Sequence, residues 1–278
     1  GCEVRHDGVW VHLTGNDIGA LVAYQAVRRA PAGRRPLVVK TEVTSTFVQR
    51  VAEGEGAVVV GDLLVGFKYI AEVLAALEDD GRYRHLAAGQ VRYVAGIEES
   101  HGVLVTDAMR DKDAAGGALT LAELAAAEAA EGRTLVDTLA ALVQRYGDIR
   151  NEQLSVRFEG ATGAARMAEL LAGLRTSPPE RLGERRVVRF TDHQDPSGRL
   201  GPFVSGSDRA SRNVLVVELS ATSADEGARI VFRPSGTEPK LKVYVELVGR
   251  PGAGEQGSQA LGLAMEALRR DVRAEWLR

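Results

Sequence analysis

The densest group of chemistry-bearing side chains is Arg233-Pro234-Ser235-Gly236-Thr237-Glu238-Pro239-Lys240, set between two strand-like runs. Its parts suit an anion. Gly236 is free to take a positive φ, so successive backbone N–H groups can turn toward one point. Ser235 and Thr237 add hydroxyl donors, and Arg233 presents a planar fork matched to two phosphate oxygens. Lys240 and Lys242 add positive charge. A plain hairpin turn also favours Pro, Ser and Gly, but it has no need of so many cationic and hydroxyl groups. The segment is read as a phosphate site.

Three further segments carry weaker indications. Gly96-Ile97-Glu98-Glu99-Ser100-His101-Gly102 follows an apolar strand-like run. If it stays extended, Glu98 and Ser100 project together, a carboxylate and a hydroxyl able to bind vicinal sugar hydroxyls. Glu98, Glu99 and His101 do not have the spacing of a converging metal set. In Met109-Arg110-Asp111-Lys112-Asp113, Arg110 and Lys112 alternate and would share a face, while Asp113 would cap the Ala-rich helix that follows. In Leu64-Val65-Gly66-Phe67-Lys68, a helix opens after a strand. Its N-terminal amides attract anions and hydroxyls, and Lys68 in its first turn opposes the helix dipole. Lys40, at the end of a strand, is a similar case.

These groups need a scaffold. Short apolar runs at 36–40, 57–60 and 91–95 alternate with helical patterns at 44–53, 66–77, 114–130 and 135–146, the signature of a parallel three-layer α/β/α domain. After Gly147-Asp148 the pattern changes to strands at 154–158, 187–190, 214–219, 229–233 and 241–247, with helices at 163–174 and 258–277, which reads as α+β. The expected division is 33–146 and 149–278, with 1–32 the remnant of an earlier domain.

Composition sets outer bounds. The 278 residues, 45% hydrophobic and 26% charged, suit two soluble domains. A net charge of -3 gives no general affinity for nucleic acid or anionic membrane. The single cysteine, Cys2, excludes an internal disulfide and fits a reducing cytoplasm. No run reaches the ~20 apolar residues of a membrane span.

Taken in order, Gly-Phe-Lys at 66–68, Glu-Glu-Ser-His-Gly at 98–102, Arg-Asp-Lys-Asp at 110–113 and the 233–240 segment resemble the α-D-phosphohexomutase family, in its phosphoglucomutase/phosphomannomutase branch related to phosphopentomutases. Leu13 to Gly19 resembles the end of that family's second domain. The resemblance implies four domains around one cleft, with 33–146 the third and 149–278 the fourth. It implies sugar contacts from Glu98 and Ser100, with His101, Lys40, Gly66, Lys68, Arg110 and Lys112 lining the same site. It implies a phosphate clamp from Arg233, Ser235, Gly236 and Thr237, supported by Lys240 and Lys242.

The implied activity interconverts sugar 1-phosphate and sugar 6-phosphate through a bisphosphate and a phosphoserine, with Mg2+ and a glucose 1,6-bisphosphate-type activator. Hexose or pentose phosphates would be the ligands, and the N-terminal domains the partners. The family's phosphoserine loop and Asp-rich metal loop do not occur in these residues, so no catalytic or metal residue is assigned here. Val65 stands where the branch often has Thr. The alternatives are a non-catalytic sugar-phosphate-binding module and a phosphopentomutase fragment.

Overall fold

The central strand of the first sheet, β3 (Arg35–Thr41), explains the layering around it. Leu37, Val38 and Val39 are wholly buried, so both faces of the strand must be covered. A computed structural model describes residues 1–160, 162–203, 205–235 and 238–277, and divides the chain into two units, Gly1–Tyr146 and Gly147–Arg278.

The first unit opens with a hairpin of β1 (Cys2–His6) and β2 (Val9–Leu13). Helix α1 (Gly15–Arg28) follows, then β3, α2 (Thr46–Gly54), β4 (Val58–Leu63) and α3 (Phe67–Asp79). A small hairpin, β5 (Arg82–Tyr83) and β6 (Leu86–Ala87), leads to β7 (Val91–Ile97) and β8 (Val103–Leu104), and α4 (Ala114–Ala130) and α5 (Leu135–Tyr146) complete the unit. The sheet order is β4-β3-β7-β8. β3 is parallel to β4 and β7, and β8 returns antiparallel to β7.

Phe67, Ile70, Val73 and Leu74 of α3 cover one face, packed on Leu37, Val39, Val60 and Tyr93. The opposite face meets α1 and α2: a Cβ built on Gly19 would lie 2.6 Å from Ile97 and 3.3 Å from Val48. α1 also packs against α4 and α5. It is buried nearly all round, with Ala20, Leu21, Val22 and Ala23 at 0% exposure, as an apolar run without a polar face requires.

This corrects the expected break at residue 32. Residues 1–32 lie inside the first unit, because α1 is an inner helix of its layers rather than a trailing piece.

The second unit is a six-stranded antiparallel sheet in the order β10-β11-β12-β13-β14-β9. Its strands are β9 (Ile149–Arg157), β10 (Arg181–Leu182), β11 (Arg185–Asp192), β12 (Leu215–Leu219), β13 (Gly227–Pro234) and β14 (Lys240–Val248). Alternate residues of one face, among them Leu154, Leu215, Val217, Ile230, Phe232, Val243 and Val245, share a core with α6 (Gly163–Thr176) and α8 (Gly254–Asp271). A short α7 (Gly206–Ser211) bridges β11 and β12.

α8 starts at Gly254, four residues ahead of the helix expected from 258. It ends in a single π-helical turn, Val272–Trp276, that sets Trp276 with its ring centroid 6.0 Å from Phe232. Among the described residues no helix is long and apolar enough to cross a membrane.

Candidate functional site

β3, β4 and β7 end side by side at Thr41, Leu63 and Ile97, and the loops after parallel strands are where such sheets bind ligands. After β7 the chain turns at once. The Glu98 amide donates to the Gly102 carbonyl at 2.8 Å, and His101 takes a left-handed φ of 71° at the tip. Glu98 is turned inward and is 4% exposed, whereas Ser100 and His101 are exposed. The expectation that Glu98 and Ser100 project together rested on an extended segment; the closed turn separates them.

The Glu98 carboxylate lies 3.7 Å from the Lys112 ammonium, which sits 5.8 Å from the Phe67 ring centroid. Phe67 opens α3 directly after Gly66, whose φ of 132° disfavours any L side chain. The fold thus gathers Gly66, Phe67, Glu98 and Lys112 from three loops. Lys68 stays exposed, over the ring of Tyr69 at 4.8 Å.

Two expected members fall elsewhere. Lys40 is 1% exposed, and its ammonium donates to the carbonyls of Thr44 at 2.9 Å and Gly61 at 3.2 Å. It ties loop backbone together inside the unit. Arg110 donates to the Asp107 carbonyl at 2.6 Å and pairs with Glu78 on α3. The segment 105–113 is not extended, so Arg110 and Lys112 do not share a face. Asp113 caps α4 as expected, accepting from the amides of Ala115 and Gly116 at 3.0 Å each.

One positioning residue entered the sequence reading only within the Leu13 to Gly19 resemblance to a second-domain end. Thr14 and Asp17 close a capping box at the start of α1. Between them, Gly15 lies hard against the sugar-loop candidate: a Cβ there would stand 1.9 Å from the Glu99 carbonyl oxygen and 3.0 Å from the His101 amide nitrogen. Asn16 accepts from the Ser45 amide at 3.0 Å, tying the same helix end to the loop after β3. Thr-Gly-Asn-Asp signals a cap in sequence, but the neighbour it touches lies more than eighty residues further on.

In the second unit, β13 and β14 form a hairpin whose mouth is closed by the Ser235 amide donating to the Lys240 carbonyl at 2.7 Å. That N–H therefore serves the hairpin. Gly236 and Thr237 lie outside the described residues. Arg233 pairs in register with Lys242, and Lys242 with Ser155; Lys240 pairs with Arg157. Strand alternation sets these side chains on the face opposite Phe232, Leu241 and Leu154.

Arg157 was not foreseen, because the pairing of β9 with β14 has no local sequence cue. Among the described residues none of these four cations has an acidic partner within ion-pair distance. Like charges directly opposite across strands repel, so an anion bound here would relieve the repulsion. No group of three or more His, Cys, Asp or Glu able to hold a metal occurs among the described residues.

Comparison with known proteins agrees with this layout. Residues 14–146 match the model of phosphoglucomutase/phosphomannomutase alpha/beta/alpha domain III, and residues 187–255 match the phosphoglucomutase/phosphomannomutase C-terminal domain. A phosphoglucomutase of Staphylococcus epidermidis is 29% identical over 248 residues, covering 87% of this chain and 41% of that protein. A Haemophilus influenzae protein named "Probable phosphomannomutase" is 28% identical over 244 residues, covering 87% and 42%.

The structure of pp63/parafusin, a phosphoglucomutase from Paramecium in its open form, covers 99% of this chain and 44% of its own, with a TM-score of 0.61 and 18% identity. A phosphoglucomutase/phosphomannomutase family protein of Burkholderia thailandensis covers 96% and 43%, with a TM-score of 0.51 and 14% identity. The chain spans about two fifths of the length of the curated relatives it matches. With the domain III model ending where the first unit ends and the C-terminal-domain model falling wholly within the second, the chain belongs to the phosphoglucomutase/phosphomannomutase family and carries its domains III and IV.

Proposed function

We propose that this chain is the sugar- and phosphate-recognising portion of a phosphohexomutase, an enzyme that interconverts sugar 1-phosphate and sugar 6-phosphate through a bisphosphate and a phosphoserine. The first unit reads sugar hydroxyls with Glu98. A carboxylate so buried keeps lone pairs free for hydroxyl donors once Lys112 neutralises its charge. Ser100, His101, Gly66 and Lys68 border that position. The second unit holds a phosphate with Arg233, Lys240, Lys242 and Arg157, joined by Ser235, Gly236 and Thr237.

The observation that carries the reading is the cluster of four cations on neighbouring strand positions without acidic partners among the described residues, a costly arrangement unless an anion binds there. Phosphoryl transfer also needs an aligned donor and a charge-neutralising metal, and both roles fall to the remainder of the relatives' length. The chain by itself is proposed to be without mutase turnover.

Calorimetry with glucose 1-phosphate and glucose 1,6-bisphosphate tests the reading. Arg233→Ala weakens binding by about 1.5–3 kcal/mol, the scale of a charge-assisted hydrogen bond, with the melting profile unchanged. Affinity equal to that of the unaltered chain would refute the clamp, and measurable turnover would refute the division of roles.

A further inference from the structure

At the amino end of the first unit's sheet, away from the Glu98 loop, lies a cavity of about 400 Å³ that the reading above does not use. Three guanidinium groups line it. Arg34 precedes the first residue of β3 and, among the described residues, donates to the Ala88 carbonyl at a long 3.3 Å. Arg92 is the second residue of β7, and its Nε is buried with no hydrogen-bond partner. Arg110 enters from the segment 105–113.

Two carboxylates share the wall. Glu78 is occupied by Arg110, which leaves Arg34 and Arg92 opposite Asp107 alone. Asp107 is exposed, while the Nε of Arg92 faces inward.

A buried N–H donor without an acceptor is costly, and native folds rarely keep one without a use. Guanidinium forks match the paired oxygens of phosphates and carboxylates, and a dianionic phosphate answers two guanidinium charges at once. The volume lies in the range of small-molecule sites and exceeds what a bare phosphate fills, and the α3 side of the cavity is apolar, with Leu74 and Leu77. We propose that this cavity is a second anion site, separate from the Arg233 loop, that takes phosphate or a small phosphate monoester on Arg34 and Arg92.

The test begins from Arg233→Ala, which silences the loop in the second unit. Titrating that variant with inorganic phosphate, and separately with glycerol 3-phosphate, while following backbone amide shifts should show saturable binding. The perturbed amides should cluster at residues 34, 92 and 107–110. Adding Arg34→Gln and Arg92→Gln should raise Kd about tenfold or more, the loss expected for charge-assisted hydrogen bonds.

Tighter binding of the ester assigns the site to monoesters, and equal binding assigns it to the free anion. No saturable shift at those amides, or a Kd within twofold after both substitutions, would overturn the proposal. If Arg92→Gln does not fold, Arg34→Gln alone decides, since Arg34 is exposed and its loss leaves the core intact.

Discussion

Replacing Gly15 with alanine adds one methyl group and should disturb the Glu98–Gly102 loop. The new Cβ would sit 1.9 Å from the Glu99 carbonyl oxygen and 2.8 Å from its carbon, both backbone atoms. Ordinary contact needs about 3.4 Å, so helix end and loop must part by roughly 1.5 Å. Overpacking of this kind costs about 1–3 kcal/mol, against which alanine's better helix propensity returns at most about 1 kcal/mol. A net loss of about 1–2 kcal/mol lowers the melting midpoint of a unit this size by roughly 3–8 °C.

The two tryptophans fall one to each unit, exposed Trp10 in the first and buried Trp276 in the second. Amide exchange in α1 and β7 should therefore shift while the Trp276 fluorescence transition stays put. Binding of glucose 1-phosphate should weaken too, since Glu98 adjoins the displaced residue. A first-unit midpoint that is unchanged or raised would refute the reasoning, because helix propensity would then be the whole effect.

Gly262, in the middle of α8, has nothing within 4 Å of a built Cβ, so Gly262→Ala should stabilise the second unit by about 0.5–1 kcal/mol in urea unfolding. The Asp225 carboxylate is wholly buried and receives both Arg185 guanidinium nitrogens, at 2.8 and 2.6 Å. Asp225→Ala leaves Arg185 buried and unpaired, and should cost about 3–5 kcal/mol by the same measurement. Burial alone pushes the Asp225 pKa up, but hydrogen bonds from Arg185 and Thr222, the Arg185 charge and the Gly227 amide bring it below the ordinary carboxylate value. Its folded pKa thus lies below its unfolded one. The stability it lends is complete above about pH 5 and is lost as pH falls through the ordinary carboxylate range and below it, so Asp225→Asn should flatten the acid limb of the second unit's stability profile.

Much of this could be read locally. Val38 and Val39 in an unbroken apolar run announce a strand covered on both faces, and Gly147-Asp148 marks the change of pattern where the two units divide. The candidate anion segment stood out because Arg233, Ser235, Lys240 and Lys242 fall within ten residues of one another, whereas Arg157 reaches it only through strand pairing. What failed did so where an extended chain was assumed or a distant neighbour decided. Ser100 parts from Glu98 because Glu98 bonds to Gly102 and closes a turn. Lys112 and Arg110 part because their segment folds back, and Lys40 is drawn inward by the carbonyls of Thr44 and Gly61. α1 looked like a tail because nothing within 1–32 shows that the Ala-Leu-Val-Ala face lies among α2, α4 and α5.

The place of β9 beside β14 has a consequence for how the chain is made. The second unit's first strand pairs Ile149 with Val248 and Arg157 with Lys240, so the opening segment waits for almost the whole unit before it finds its partner. Contacts so distant in sequence slow folding, since loop-closure entropy is spent before the contacts form. On a ribosome adding about 5–20 residues per second, β9 would stay unpaired for several seconds after it emerges. Polar and apolar residues alternate from Gln153 to Arg157, which keeps one face of the strand soluble through that interval, and Arg150 and Arg157 near its ends discourage pairing with a neighbouring chain. The basic residue paired with Lys240 in the finished fold, Arg157, would thus also protect a strand still waiting for its partner.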